Sequence, residues 1–267
     1  MTVTIVVALL VLGAFTGFAA GLLGIGGGMM MVPFMSMVLD AIGFPHDEVV
    51  KVAIATSLTT IVFTSISSVR AHHARGAVRW DVVRSLAPGI LAGSLLAAQL
   101  AHAVPGRALA AFFGLFIGWS ALRMLSSRPP SPDRQLPGAA GMFGAGTAIG
   151  ALSALLGAGG AFMTVPFLAR RNLPMISAVA SSAACGFPIA VAGAIGYAWA
   201  GRDLHLPGGT IGYVYLPALA CISVASVTTA PWGARVAHAL PTRTLRRVFA
   251  VLLLSLAVYM LWRAVRD

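Results

Sequence analysis

The sequence predicts an all-α membrane protein. It is expected to be a polytopic helical bundle of two inverted-topology repeats, each opening with a broken or re-entrant helix pair. Three observations support this: a composition that water cannot solvate, a series of ten apolar runs, and one unusual phrase written twice. Of 267 residues, 58% are hydrophobic and 9% charged, and the mean hydropathy is +0.91. A soluble domain carries about 25% charged residues, so this chain could not cover itself in water. A bilayer span needs about 20 apolar residues. Apolar runs lie at 3–22, 28–39, 49–69, 82–101, 107–125, 138–156, 160–169, 173–200, 210–230 and 245–262.

The net charge is +11, and Lys51 is the only lysine. The arginines sit in short connections between apolar runs, as the positive-inside rule requires. The expected partner of this charge is therefore the lipid bilayer, and no nucleic-acid partner is expected. The N-terminus, MTVTIVVALLVLGAF, has no basic residue before its apolar core, unlike a cleaved signal peptide. Cys185 and Cys221 both lie inside apolar runs, without a CxxC or Cys/His cluster. Neither a disulfide framework nor a metal site is expected, and no cofactor. The histidines fall at or near run ends, where an interfacial role suits them.

The repeated phrase is LLGIGGGMMMVPF, Leu22–Phe34, and LLGAGGAFMTVPF, Leu155–Phe167. Further blocks follow in the same order. AIATS (Ala53–Ser57) matches AVASS (Ala178–Ser182), LAPG (Leu86–Gly89) is set against LPAL (Leu216–Leu219), and AHAVPGRAL (Ala101–Leu109) matches AHALPTRTL (Ala237–Leu245). Such a duplication is a common plan for secondary transporters. The segment SSRPPSPDRQLPG, Ser126–Gly138, is too polar for lipid. Residues 1–125 then form a first transmembrane repeat, 126–138 a cytoplasmic linker and 139–267 a second repeat.

Charge sets the orientation. The connection Arg70–Arg84 carries Arg70, Arg75, Arg79 and Arg84 against Asp81, whereas its counterpart near Gly201–Pro207 carries Arg202 against Asp203. The connection His102–Arg107 has one arginine; Arg235–Arg247 has four. The arginine-rich connection has moved by one crossing, as an inverted pair obeying positive-inside requires. This puts Arg70–Arg84, the linker and Arg170–Arg171 in the cytoplasm. Asp40, Asp47, Glu48 and both termini fall outside, together with Arg263 and Arg266.

The glycines then acquire a purpose. Glycine lets backbone leave a helix, and within a membrane that is tolerated only where the backbone is buried in protein or lines a cavity. The helix that restarts presents unpaired N–H groups at the positive end of its dipole, a site for an anion. Gly24, Gly26, Gly27 and Gly28 in one half, and Gly157, Gly159 and Gly160 in the other, are the candidate substrate-binding tips. Close helix packing is the competing role of such glycines. A nucleotide loop is excluded, because no strand precedes GIGGG and no Lys-Ser/Thr follows. Thr56, Ser57, Ser181 and Ser182, the matched hydroxyls, are candidate donors to the anion, and Cys185 follows three residues after Ser182. Thr59, Thr60, Thr64, Ser65, Ser67 and Ser68 are expected to bond their own helix. No Asp, Glu, Lys or Arg falls in mid-span, which argues against a cation pump.

The doubled phrase, AIATS with AVASS, and the AHAxP block together resemble the TauE/SafE sulfite-exporter family, also called the four-toluene sulfonate uptake permease family. The resemblance covers essentially the whole chain. It implies a secondary transporter, of the exporter type, moving small organic or inorganic sulfur anions such as sulfite, sulfonates or sulfoacetate across the bacterial cytoplasmic (inner) membrane. It also implies that Pro33 and Pro166 shape the site with the glycines. Ala161 departs from the first half, which has Gly28 there. A passive anion channel is the alternative. An enzyme would need a nucleophile–base pair or metal cluster in the membrane, and the sequence offers none, so no enzymatic activity is expected. A homo-oligomer is compatible with the sequence, which does not fix the copy number.

Overall fold

Each apolar run becomes a helix, and prolines, glycines and turns set the ends. The computed structural model describes residues 3–23, 27–125, 135–237 and 242–266. The first half holds α1 (Val3–Leu23), α2 (Gly28–Ala41), α3 (His46–Ala74), α4 (Trp80–Ala103) and α5 (Gly106–Leu125). The second holds α6 (Ala139–Leu155), α7 (Ala161–Ala169), α8 (Met175–Ala200), α9 (Leu216–Ala237) and α10 (Thr242–Arg266). Six of these (α1, α3, α4, α5, α8 and α10) are long and apolar enough to cross a membrane. Most of the linker, residues 126–134, lies outside the described residues.

The short second helix of each half ends in the same way. After α2, Gly43 takes φ 81° and the Phe44 N–H reaches back to Leu39 O. After α7, Asn172 takes φ 61° and the Leu173 N–H reaches back to Leu168 O. Glycine and asparagine are the residues that tolerate this left-handed stop. Pro45 and Pro174 then stand at the N-caps of α3 and α8. Asp47 and Glu48 place negative charge in the first turn of α3, where the helix dipole favours it.

One part of the run 210–230 is not helical. Thr210–Ile211 pairs with Val214–Tyr215 as a two-stranded antiparallel hairpin, β1–β2. Gly212, at φ 54°, opens the two-residue turn. A Cβ there would collide with Ala198 O, so the hairpin tip is pressed against the end of α8.

The halves exchange contacts. α4 packs along α6 through Gly89, Gly93, Gly146 and Gly150, whose missing side chains let backbone meet backbone. α1 packs along α9 in the corresponding way. Gly13 meets Ile222 and Gly17 meets Ser226, while Gly146 meets Leu86 and Gly150 meets Ile90. Leu86 is therefore equivalent to Ile222, an offset of 136 (222 − 86) that also joins Trp80 to Leu216, the first residues of α4 and α9. This corrects the setting of LAPG against LPAL, which slips by six residues.

Side chains such as Leu96, Leu115, Val224, Val251 and Val258 stand 60–65% exposed on the outer face, the surface a bilayer would cover. At one end of the bundle, the guanidinium of Arg263 makes a bidentate pair with the Asp40 carboxylate and also donates to His46 O, 3.4 Å away. Arg263 is 4% exposed. The chain's late arginine at this end is thus neutralised, and it ties α10 to the corner between α2 and α3.

Candidate functional site

The two phrases meet. A Cβ on Gly28 would collide with Gly157 O and stand 2.9 Å from Ala158 Cα. Gly157 takes φ 57° and Gly160, the N-cap of α7, takes φ 76°. Both conformations are strained for any residue with a side chain. Gly159 contacts α3 at Ile61, and Gly186 of α8 faces Gly159 O. Gly24 and Gly26 lie outside the described residues. In the first turn of α7 the Met163 and Thr164 N–H groups return to Gly160 O. The Ala161 and Phe162 N–H groups precede any helical acceptor, as at every helix start. Gly27 O serves Met30 and Met31 in the same way at the start of α2.

The matched hydroxyls form a reciprocal pair of clasps. Thr56 Oγ1 accepts the Tyr215 N–H at 3.1 Å, just before α9. Ser181 Oγ accepts the Arg79 N–H at 3.0 Å, just before α4. Residues 79 and 215 are equivalent by the offset of 136, so each half caps the other half's fourth helix. Ser57 donates to Gly157 O at 2.8 Å and fixes the second tip against α3. Ser182 Oγ is buried without a hydrogen-bond partner. Cys185 is a free, fully buried thiol. Four of the six scattered hydroxyls return to their own helix: Thr59 to Ala55 O, Thr60 to Thr56 O, Thr64 to Ile61 O and Ser65 to Val62 O.

Sequence reasoning did not single out two features. The first is a cavity of about 220 Å³ between α1, α2, α5, α7 and α10. Gly27 is among its lining residues; Met29, Met30, Phe162, Phe249 and Leu253 form apolar walls, and Ser120 and Arg123 supply the polar side chains. The Arg123 guanidinium lies 5.2 Å from the Trp119 ring centroid. An Arg four residues after a Trp on one helix was the available signal, but the helix end concealed it among interfacial arginines. The second feature is Ser153 of α6, whose Oγ is buried without a partner and would stand 2.9 Å from a Cβ on Gly160.

Ten helices among the described residues, six of them of spanning length, with two glycine phrases in contact beside a cavity, define a multi-pass membrane protein built on a doubled plan. The chain belongs to the sulfite exporter TauE/SafE family, whose model matches residues 9–260. It is 33% identical over 260 residues to a probable membrane transporter protein of Haemophilus influenzae, covering 96% of this chain and 98% of the relative. It is 28% identical to one of Xylella fastidiosa, covering 99% and 98%. It is 26% identical to one of Methanocaldococcus jannaschii, covering 95% and 94%. No solved structure matches it. The family and these relatives make it a membrane transporter.

Proposed function

We propose that this protein is a secondary transporter, acting as an exporter, of small sulfur-containing anions such as sulfite, sulfonates or sulfoacetate across the bacterial cytoplasmic membrane, and that it is not an enzyme. The cavity supports this reading above all. Its volume of about 220 Å³ is below the 300–1,000 Å³ typical of drug-sized sites and suits a small solute. Arg123, exposed at the end of α5, places a positive charge at the lining of a cavity whose other walls are mostly apolar. Gly27 brings the cavity to the first turn of α2, whose N–H groups favour an anion.

The inverted arrangement rests on the clasps. α3 starts at the Asp40 end and α8 starts beside Arg79, at the far end of α3. Each half's phrase then enters from its own side and meets the other near the middle. The Arg70–Arg84 connection, Arg123 and Arg170–Arg171 gather at the end opposite Asp40, which the positive-inside rule makes cytoplasmic. Arg123, one of the cavity's lining residues, lies toward that end. Beyond it the fully buried Val32 and Ile54 surround the tips, which favours alternating access over a continuously open pore.

The test is uptake of labelled sulfite, sulfate, thiosulfate, taurine and sulfoacetate into proteoliposomes. A transporter gives saturable flux, driven by a gradient, for one of them. Arg123→Gln is expected to weaken that flux about tenfold or more, the cost of one charged hydrogen bond, while the protein stays monodisperse. Flux that never saturates favours a channel. Parental flux in Arg123→Gln removes the cavity from the path.

A further inference from the structure

The second tip presents donors that the protein does not use. Gly159, Gly160 and Ala161 are buried. Among the described residues, the N–H groups of Gly159, Gly160, Ala161 and Phe162 have no acceptor, whereas those of Gly157 and Ala158 return to Ala154 O and Ser153 O. Ser153 is fully buried, and its unpaired Oγ lies over Gly160, the N-cap of α7. The nearby carbonyls are spent. Ser153 O accepts the Ala158 N–H, and Ala154 O accepts the Tyr197 hydroxyl as well as the Gly157 N–H. Gly157 O accepts Ser57, and Gly160 O accepts the N–H groups of Met163 and Thr164 and the Thr164 hydroxyl. Gly159 O is covered by α8, 3.2 Å from a Cβ placed on Gly186. No Asp or Glu occurs between residues 134 and 202.

Buried N–H groups without a partner are rare, and here four in succession stand beside an unpaired hydroxyl. Close packing accounts for the glycines but not for a buried hydroxyl turned toward a helix start. The positive end of the α7 dipole adds to the donors. A water molecule would answer two of them, yet its own hydrogens would meet carbonyls already in use. An oxyanion brings acceptors alone.

We propose that the second tip is a binding station for a small, fully deprotonated oxyanion, with Ser153 as its side-chain donor. This deepens the transporter reading and rests on it. The station is distinct from Arg123, but the two are joined: Phe162, whose N–H is the last of the four donors, also lines the cavity. An anion drawn in by Arg123 exchanges that charge for a set of uncharged donors. Such a set discriminates by protonation. Hydrogen phosphate matches sulfate in charge and shape, but its O–H needs an acceptor. Ser153 could accept it only by giving up its own donation. The first tip is built differently. Ala20 stands where Ser153 does, by the offset of 133 between the phrases, and Gly27 takes φ −49° where Gly160 takes φ 76°. The station therefore belongs to the second half alone.

The test titrates the full purified chain with sulfate and, at a mildly alkaline pH where phosphate keeps one proton, with phosphate. Binding is read by calorimetry and by the shift in melting temperature. The parent should bind sulfate about tenfold or more tightly than hydrogen phosphate, the effect of one buried group left unpaired. Ser153→Ala should weaken sulfate about tenfold while its melting temperature without anion stays at the parental value. A hydroxyl that merely serves its own helix would do the reverse, moving the melting temperature and not the affinity. Should Ser153→Ala fold poorly, the ratio of the two anions in the parent decides by itself. Equal affinity for sulfate and hydrogen phosphate, parental sulfate affinity in a well-folded Ser153→Ala, or no sulfate binding at all overturns the station and leaves the transporter reading standing. Sulfate affinity lost in Arg123→Gln but kept in Ser153→Ala places the anion in the cavity instead and overturns it equally. If sulfate binds as expected but no anion of the panel above gives saturable flux, the transport reading fails and the station remains as a binding site.

Discussion

Gly159→Ala separates an anion-binding tip from a merely packed one. A Cβ at Gly159 would meet only Ile61 Cγ2, at 3.7 Å, an ordinary contact, and the backbone there does not need positive φ. The substitution should leave stability unchanged or raise it by about 0.4–1 kcal/mol, because alanine restricts the unfolded chain. Its methyl group stands beside the first N–H groups of α7. Losing one hydrogen bond to a charged ligand costs about 1.5–3 kcal/mol, which is about tenfold or more in affinity. Gly28→Ala is the contrast, since its Cβ collides with Gly157 O; it should lose melting temperature and binding together. Gly27→Val and Gly160→Val are poorer probes. The first meets Thr16 O at 2.5 Å and the second meets Ile189 Cδ1 at 2.5 Å from a strained φ. The assay is a melting curve and a titration of each purified variant with sulfite, sulfate, thiosulfate, taurine and sulfoacetate. A stable Gly159→Ala protein with parental affinity would refute the tip as an anion site and return these glycines to packing.

Two further outcomes follow from the same geometry. Thr56→Val and Ser181→Ala should each destabilise by about 1–3 kcal/mol, since each leaves a buried or partly buried N–H unanswered. Near-equal losses of melting temperature would bear out the reciprocal clasp, and a loss in only one would sink it. Reporters fused at Ser131 and at the C-terminus should indicate opposite sides of the membrane, cytoplasmic and extracytoplasmic; the same side for both would end the inverted scheme.

The helices were legible because the apolar runs are long and the breaks between them carry Pro, Gly or Arg. The hairpin was not. Val214 and Tyr215 are as apolar as the helix that follows them, and hydropathy alone does not separate a buried strand from a helix. The pairing of LAPG with LPAL failed for a related reason. Leucine, alanine and proline recur too often in these helices for a four-residue match to set a register, whereas AHAVPGRAL with AHALPTRTL set it correctly. The contact between the phrases was legible in their repetition, since inverted repeats place their broken helices around a shared site. The capping of each fourth helix by the opposite half was not, because Thr56 and Tyr215 are 159 residues apart.

The symmetry and its failures divide the labour of the molecule. Features shared by both halves build the scaffold: the left-handed stops at Gly43 and Asn172, the backbone contacts of α1 with α9 and of α6 with α4, and the clasps of Thr56 and Ser181. Their exchange between halves means that neither half completes its own fourth helix. Features present in one half alone are, under the proposed function, the ones that meet the solute. Arg123 stands at the cavity, Ser153 stands beside Gly160 where the first half has Ala20, and Glu48 with Lys51 stands where the second half has Leu173 and Ile176. A duplicated frame with two equal tips would treat both membrane faces alike. The charges at Arg123 and at Glu48–Lys51 lie toward opposite ends of the bundle, so the two ends differ in charge where the frame repeats. Under the proposed function, that difference gives the frame a direction.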